Sequence, residues 1–337
     1  MSTIKDIARI AGVSVTTVSR ALNGYSDVSE KTRKKIKRIA EELSYSPNTV
    51  ARSLVTNKTK TIGLLVSELS REGMKDNTVL NVLTGINEYC GEVGYDIILL
   101  NTSSAKQKEK TYAQLCRERR VDGVIVQGIK KEDPYLIEVV ESNIPCVLVD
   151  IPIESTTVGY VTTDNEEGSV KAVQHLVNLG HRHIAMINGH NQAFVSQERR
   201  KGYEKALRNN QLNVKEEFIV SGDFEEGVAQ AVAEKLITEH LEITAIYCAS
   251  DLMAFGVMKA AKKYGIRIPE DLSIVGFDDI VLASYVTPRL TTVGQDTFQI
   301  GLESARLLID MLGGKNKEHR YVLPNKLIIR ESTAIHL

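Results

Sequence analysis

The chain has 337 residues, 42% of them hydrophobic, with 42 Lys/Arg against 43 Asp/Glu. That length predicts roughly two domains, and the net charge of −1 conceals a division: residues 1–58 hold eleven basic and five acidic side chains, +6, leaving −7 on the remainder. A basic head on an acidic body confines any phosphate-binding surface to the head. The opening MSTIKDIARI is charged and amphipathic, unlike a secretory signal, and no apolar run approaches the ~18 residues that span a bilayer. The four cysteines lie far apart with no CxxC pair, which argues for buried free thiols in a reducing cytoplasm and against a metal centre.

Residues 4–23, IKDIARIAGVSVTTVSRALN, have the spacing of a helix-turn-helix. Ala8 is small enough for a close helix crossing, Gly12 permits the tight turn, and Val18 closes a miniature core with Ile7, Ala11, Val13 and Ala21. Ser14 is placed to cap a second helix starting at Val15. Ser29 then caps a third, EKTRKKIKRIAEELSY, whose Ile36, Ile39, Ala40 and Leu43 form one apolar stripe. Ser46-Pro47 opens PNTVARSLV, a segment too short to be a stable helix by itself, which reads as a connector ending near Asn57-Lys58.

From Thr61 the pattern changes. Apolar strands TIGLLVSEL, YDIILLNT, VDGVIVQGI and PCVLVDI alternate with amphipathic helices at residues 80–94, 106–120 and 134–143. Continuous apolar strands separated by helices predict a parallel sheet covered on both faces. The alternation restarts with EEGSVKAVQHLVNLG and HIAMING, continues through ERRKGYEKALRNNQL, EEFIVSGDF, a helix from Glu225, AIYCAS and DLMAFGVMKAAKKYG, and reaches LSIVGFDD. A second α/β lobe follows from that repetition. LTTVGQD, QIGLESARLLIDMLGG and YVLPNKLIIRES complete the pair, with the chain crossing between lobes.

Ligands of open α/β sheets bind beyond the carboxyl ends of strands. The polar or aromatic residues expected there are Asn101, Asp150, Phe224, Ser250, Asp251, Asp278 and Gln295. No GxGxxG follows the first strand, and neither GxxxxGK[ST], GxSxG nor HExxH occurs, so an enzyme is not expected. Adjacent Asp278 and Asp279 would diverge at a strand end instead of forming a catalytic pair. His181 and His183 sit at a helix-to-strand turn, where a structural role is expected and no metal or cofactor.

TIKDIARIAGVSVTTVSRALNG, VSEKTRKKIKRIAEELSYSPNTVARSL, TKTIGLLV, TTDNEEGSVKAVQHLVNLGHRHIAMI, ERRKGYEKAL, ASDLMAFGVMKAAKKYGIRIPEDLSIVGFDDI and PRLTTVGQD occur in this order. Over essentially its full length the chain thereby resembles the lactose-repressor/purine-repressor (LacI) family of bacterial transcription regulators. The resemblance implies a three-helix DNA-binding head (1–46), a hinge helix (47–58) and a two-lobed periplasmic-binding-protein-like core (59–337). Its first lobe would hold about 60–161 and 292–323, and its second about 162–291 and 324–337. In the head it implies that Val15, Thr16 and Arg20 face bases and that Thr3, Lys5, Thr17, Ser19 and Asn23 also belong to the DNA surface. Chemistry agrees for Arg20, which can bond guanine O6 and N7; Lys5 and Arg33 are further candidates for phosphates. The hinge would enter the minor groove, with Leu54 wedged between central base pairs and Asn48, Ala51 and Arg52 beside it.

In the core the resemblance implies effector contacts at Asp150, Arg199, Phe224, Ser250, Asp251, Asp278 and Gln295. Carboxylates and a guanidinium suit vicinal hydroxyls, and an aromatic face suits a sugar ring. Asp251 and Asp278 have an alternative use, as caps of the following helices. The polar stretch LSREGMKDNT departs from the aromatic-rich turn of many relatives, and no leucine heptads follow, so a homodimer is expected. The resulting expectation is a cytoplasmic repressor that binds a pseudo-palindromic DNA operator under control of a carbohydrate-like effector. The alternatives are an activator, a regulator dependent on a protein partner, and a sugar-binding transport protein.

Overall fold

The computed structural model describes residues 2–45, 58–67, 77–102, 110–129, 133–315 and 318–336. The chain divides into two compact units, Met1–Thr59 and Lys60–Leu337.

Among the described residues, three helices build the first unit: α1 (Ile4–Ala11), α2 (Val15–Leu22) and α3 (Glu30–Glu42). Each begins at the residue type that can accept a bond from an orphan N–H of the first turn. Thr3 forms a capping box with Asp6, Ser14 accepts from the Thr17 amide at 3.0 Å, and Ser29 accepts from the Thr32 amide at 3.2 Å. Gly12 ends α1 with φ 68°, a left-handed conformation that costs glycine nothing. The head core is Ile7, Ala8, Ala11, Val18, Ala21, Val28, Ile36, Ile39 and Ala40, all buried. The apolar stripe read along the sequence is therefore the packed one.

The second unit holds two six-stranded sheets. The first, in the order β11-β5-β4-β3-β1-β2, contains β1 (Thr61–Ser67), β2 (Asp96–Thr102), β3 (Gly123–Gln127), β4 (Cys146–Val149), β5 (Val158–Thr163) and β11 (Arg320–Leu323). All its neighbours pair in parallel. The second runs β12-β10-β9-β8-β6-β7, from β6 (Ile184–Asn188), β7 (Ile219–Ser221), β8 (Ala245–Cys248), β9 (Ser273–Asp278), β10 (Thr291–Gly294) and β12 (Lys326–Ile328). It is parallel except at one edge, where β12 runs antiparallel to β10. Strand β5, VGYVTT, escaped the sequence reading because its glycine and threonines break the apolar run. YVLPNKLIIRES, read as one stretch, contributes to both sheets, divided at Pro324 and Asn325. Proline has no N–H for a ladder, so the break falls where it must.

Among the described residues, the helices between the strands are α4 (Thr78–Val93), α5 (Tyr112–Arg119), α6 (Pro134–Glu141), α7 (Asn165–Asn178), α8 (Phe194–Asn209), α9 (Glu226–Glu239), α10 (Asp251–Lys263) and α11 (Thr297–Leu312). Helix α5 starts inside the helix expected from Lys106, because Thr111 and Gln114 form a capping box there. Helix α8 begins at Phe194, before the expected Glu198. The four cysteines are buried free thiols, and burial pushes Cys90 and Cys116 up to about 11, far from the reactive thiolate.

His181 ties the last residues to the second sheet. Its Nδ1 bonds the Thr244 hydroxyl at 2.9 Å, while Nε2 lies 3.0 Å from Ser273 Oγ and 3.1 Å from the Ala334 carbonyl. Burial pushes the imidazole down to about 4, so the fold favours the neutral ring while the unfolded chain protonates near pH 6.5. The stability due to His181 is therefore full above pH 6.5 and is lost as the pH falls toward 4. Thermal melts of wild type and His181→Gln across pH 7.5 to 4 should converge as the pH drops. Parallel curves would show that the ring does not drive this loss.

Candidate nucleic-acid interface and effector cleft

Helix α2 buries Val18 and Ala21 and leaves Val15, Thr16 and Arg20 exposed, so the residues expected to face bases occupy its free side. Lys5 is exposed on α1, whereas Thr3 and Thr17 take part in caps and Asn23 Nδ2 donates to Ser19 Oγ at 3.4 Å. Arg33 departs from the phosphate expectation. Its Nη2 donates to the Tyr25 carbonyl at 2.8 Å and the Val28 carbonyl at 3.3 Å, and Nη1 pairs with Glu30 at 3.1 Å, so the guanidinium fastens the loop between α2 and α3. The minor-groove residues Asn48, Ala51, Arg52 and Leu54 lie outside the described residues.

In the core, a chain of polar contacts runs from one sheet to the other. Asp150 follows β4 and accepts from Thr162 Oγ1 at 2.6 Å; Thr162 in turn accepts from Asn165 Nδ2 at 3.3 Å. Asn165 Oδ1 accepts from Arg199 Nε at 2.8 Å, and Arg199 Nη1 donates to the Ala249 carbonyl at 2.5 Å while lying 3.6 Å from the Asp278 carboxylate. Asp278 accepts from Gln295 Nε2 at 2.7 Å. The Arg199 guanidinium stacks over Phe277 at 3.7 Å and is 3% exposed, so the charge is held in a dry, fixed place. Burial raises the Asp150 carboxyl above the usual range, and the Thr162 hydroxyl and the Arg199 charge oppose that rise.

Three of the residues expected to meet an effector are locally strained. Asp150 (φ 62°), Phe224 (φ 61°) and Asp278 (φ 112°) are non-glycine residues at positive φ, each just past or at the end of a strand. Such conformations cost of order 1–3 kcal/mol and persist where the surroundings over-determine them, commonly at ligand sites. The ring of Phe224 meets His190 edge-on at 5.7 Å and lies against Gly189, where an added Cβ would stand 2.1 Å from it. Gly189 thus makes the seat for the aromatic face.

Ser250 and Asp251 serve the fold. Ser250 caps α10, accepting from Met253 N at 3.2 Å. Asp251 is fully buried, its two oxygens taking Thr292 Oγ1 at 2.5 Å and Ile280 N at 2.9 Å, so it joins α10 to β10 and to the segment after β9. Burial and then the Asp278 charge push this carboxyl well above the ordinary range. Neither aspartate caps the following helix by side chain, the alternative use read from the sequence; Asp278 is instead turned toward Arg199 and Gln295.

A cavity of about 620 Å³ lies where the chain crosses between the sheets, with Asn81, Asp278, Asp279, Gln295, Asn325 and Lys326 among its walls. Asp278 and Gln295 thus belong both to the polar chain and to this cavity. Sequence reasoning missed Thr162 and Asn165, which link the lobes, and Gln127 and Ser196, which are buried with Oε1 and Oγ unbonded. Gln127 ends β3, so the strand-end rule could have found it.

A helix-turn-helix unit joined to two doubly wound sheets, with strained polar strand ends between them, defines a class: DNA-binding regulators built on a periplasmic-binding-like core. Residues 3–48 match the family model of bacterial regulatory proteins of the lacI family, and residues 173–333 match that of the periplasmic binding protein-like domain. The chain is 36% identical to the HTH-type transcriptional repressor PurR of Vibrio parahaemolyticus over 335 residues, covering 98% of each chain. It is 37% identical to PurR of Vibrio atlanticus, covering 99% of this chain and 98% of that one. Among solved structures it is similar to a lac repressor dimer bound to operator and the anti-inducer ONPF (TM-score 0.82, 29% identity, 99% of both chains). It is also similar to the transcriptional regulator CelR in complex with cellobiose (TM-score 0.77, 31% identity, 98% of this chain and 100% of that one). The chain belongs to the LacI family of bacterial regulatory proteins.

Proposed function

We propose that this protein is a cytoplasmic, homodimeric transcriptional repressor, without catalytic activity, that binds a pseudo-palindromic operator and answers to a carbohydrate-like effector held between its core lobes. Residues 1–46 supply the reading head, 47–58 the hinge with Leu54 as wedge, and 59–337 the effector core. The observation that carries the reading is the polar chain from Asp150 through Thr162, Asn165, Arg199 and Asp278 to Gln295, which links the two sheets through groups suited to vicinal hydroxyls. A ligand there would favour one lobe arrangement over another, which is the differential binding that allostery requires. Cellobiose on CelR supports the carbohydrate class. Among the described residues no helix is long and apolar enough to cross a membrane, and no three His, Cys, Asp or Glu side chains are grouped to hold a metal ion.

A thermal-shift screen of the full chain against mono- and disaccharides and their phosphates tests this reading. A true effector at about 100 times its Kd adds roughly 2.7 kcal/mol to stability. The same compound must then change the affinity of the intact protein for an operator selected from randomised duplexes. A stabilising compound that leaves DNA affinity untouched would refute the coupling.

A further inference from the structure

The loop between α2 and α3 carries an acid where a DNA-facing surface has most reason to avoid one. Asp27 is exposed beside the recognition helix, in a segment (residues 1–58) whose charge is +6, and it would approach the phosphates of any duplex that α2 enters. Its carboxylate Oδ2 lies 2.7 Å from Arg20 Nη2, an ion pair. Both side chains are 48% exposed, so the pair contributes little to stability and its presence needs another reason.

The surroundings provide one. The Arg20 guanidinium also lies over the Tyr25 ring, 5.4 Å from its centroid, so ring and carboxylate confine it from two sides. The loop bearing both partners is itself pinned. Tyr25 N donates to the Arg20 carbonyl at 3.1 Å, Val28 is buried, and Arg33 Nη2 holds the carbonyls of Tyr25 and Val28, the residues that bracket Asp27. A long arginine side chain on a helix surface otherwise samples many rotamers, and reading a base means losing them. A clamp takes that loss in the free protein. The chemistry permits this: Nη2 carries two hydrogens, so one can turn to the Asp27 carboxylate while the other remains, alongside those of Nη1, as a fork for guanine O6 and N7.

We propose that Asp27 is a specificity-determining positioning residue, which clamps Arg20 on the pinned α2–α3 loop in a guanine-reading pose while its charge weakens attachment to unspecific DNA. The proposal rests on the reading of α2 as the groove-facing helix.

The experiment uses the intact protein and an operator selected from randomised duplexes, with competition by fluorescence anisotropy at one fixed salt concentration. The readout is the affinity ratio between that operator and one with the guanine opposite Arg20 replaced, together with affinity for unrelated DNA. Asp27→Ala should lower the ratio by roughly threefold to tenfold, a part of what a bidentate contact supplies, and should raise affinity for unrelated DNA. Asp27→Asn keeps one acceptor but no charge: it should raise unspecific affinity as much as Asp27→Ala while losing less of the ratio. Arg20→Ala should collapse the ratio, and adding Asp27→Ala to it should change the ratio no further. If Arg20→Ala collapses the ratio but Asp27→Ala raises all affinities equally, Asp27 is only a repulsive charge and the clamp is overturned. If Arg20→Ala leaves the ranking of operators intact, the groove reading falls first and the clamp with it. Melting curves of the Asp27 variants should match wild type, since the pair is exposed.

Discussion

Replacing Arg199 by alanine should erase the response to effector and lower the stability of the core in one step. The guanidinium is 3% exposed and serves Asn165, the Ala249 carbonyl, Asp278 and the Phe277 ring at once. Without it, Asp278 and Asp150 stay in a poorly solvated place with their nearest positive charge gone. Removing one partner of a buried ion pair costs about 3–5 kcal/mol, which for a core of this size lowers Tm by on the order of 10 °C. Arg199→Lys keeps the charge but not the fork, and should recover part of the stability while leaving the response impaired. The check is thermal unfolding of each variant, followed by operator titration below its Tm with and without the effector from the screen. An undiminished response in Arg199→Ala would remove this residue from the site.

Gly85→Ala should damage the first lobe through backbone contact alone. Helices α4 and α11 cross so closely that a Cβ on Gly85 would stand 2.0 Å from the Phe298 carbonyl oxygen and 2.8 Å from Leu302 N, and one on Gly301 would stand 2.0 Å from the Val82 carbonyl oxygen. Those atoms belong to the two helix backbones, so no side chain can swing aside and the helices must part. Overpacking of this kind costs about 1–3 kcal/mol and sometimes more, exceeding the ~1 kcal/mol that alanine gains over glycine in a helix. Helix α11 begins just after Gln295 and Asp296, both in the cavity wall, so effector affinity should fall along with Tm. Gly227→Ala is the control. Near the start of α9 it meets nothing within 4 Å and should leave Tm unchanged or raise it slightly. Equal melting of the two variants would mean that α4 and α11 separate freely.

The sequence by itself determined whatever rests on local rules. Capping residues Ser14 and Ser29, Gly12 at its left-handed turn and the apolar spacing from Ile7 to Ala40 placed the head, because helix starts, tight turns and stripes depend on neighbours a few residues apart. Apolar strands alternating with amphipathic helices likewise announced two α/β lobes, and the strand-end rule picked out Asp150, Arg199's partner Asp278, and Gln295 before any coordinates. Strand β5 and the split at Pro324 were not legible, since a strand with Gly159 and three polar or aromatic neighbours acquires its ladder only from β4 and β11. Tertiary structure alone decided how identical residue types divide their work. Asp251 and Asp278 both stand at lobe edges and both looked like ligands or caps, yet the first is consumed by Thr292 and Ile280 while the second faces Arg199. Arg20 and Arg33 are equally basic and sit in one small head, yet one is presented outward and the other spends its donors on loop carbonyls. A side chain's chemistry is written in its own letter, but its partner is set by how the chain packs, whether the loop carbonyls 5 and 8 residues from Arg33 or the groups 29 and 41 residues from Asp251.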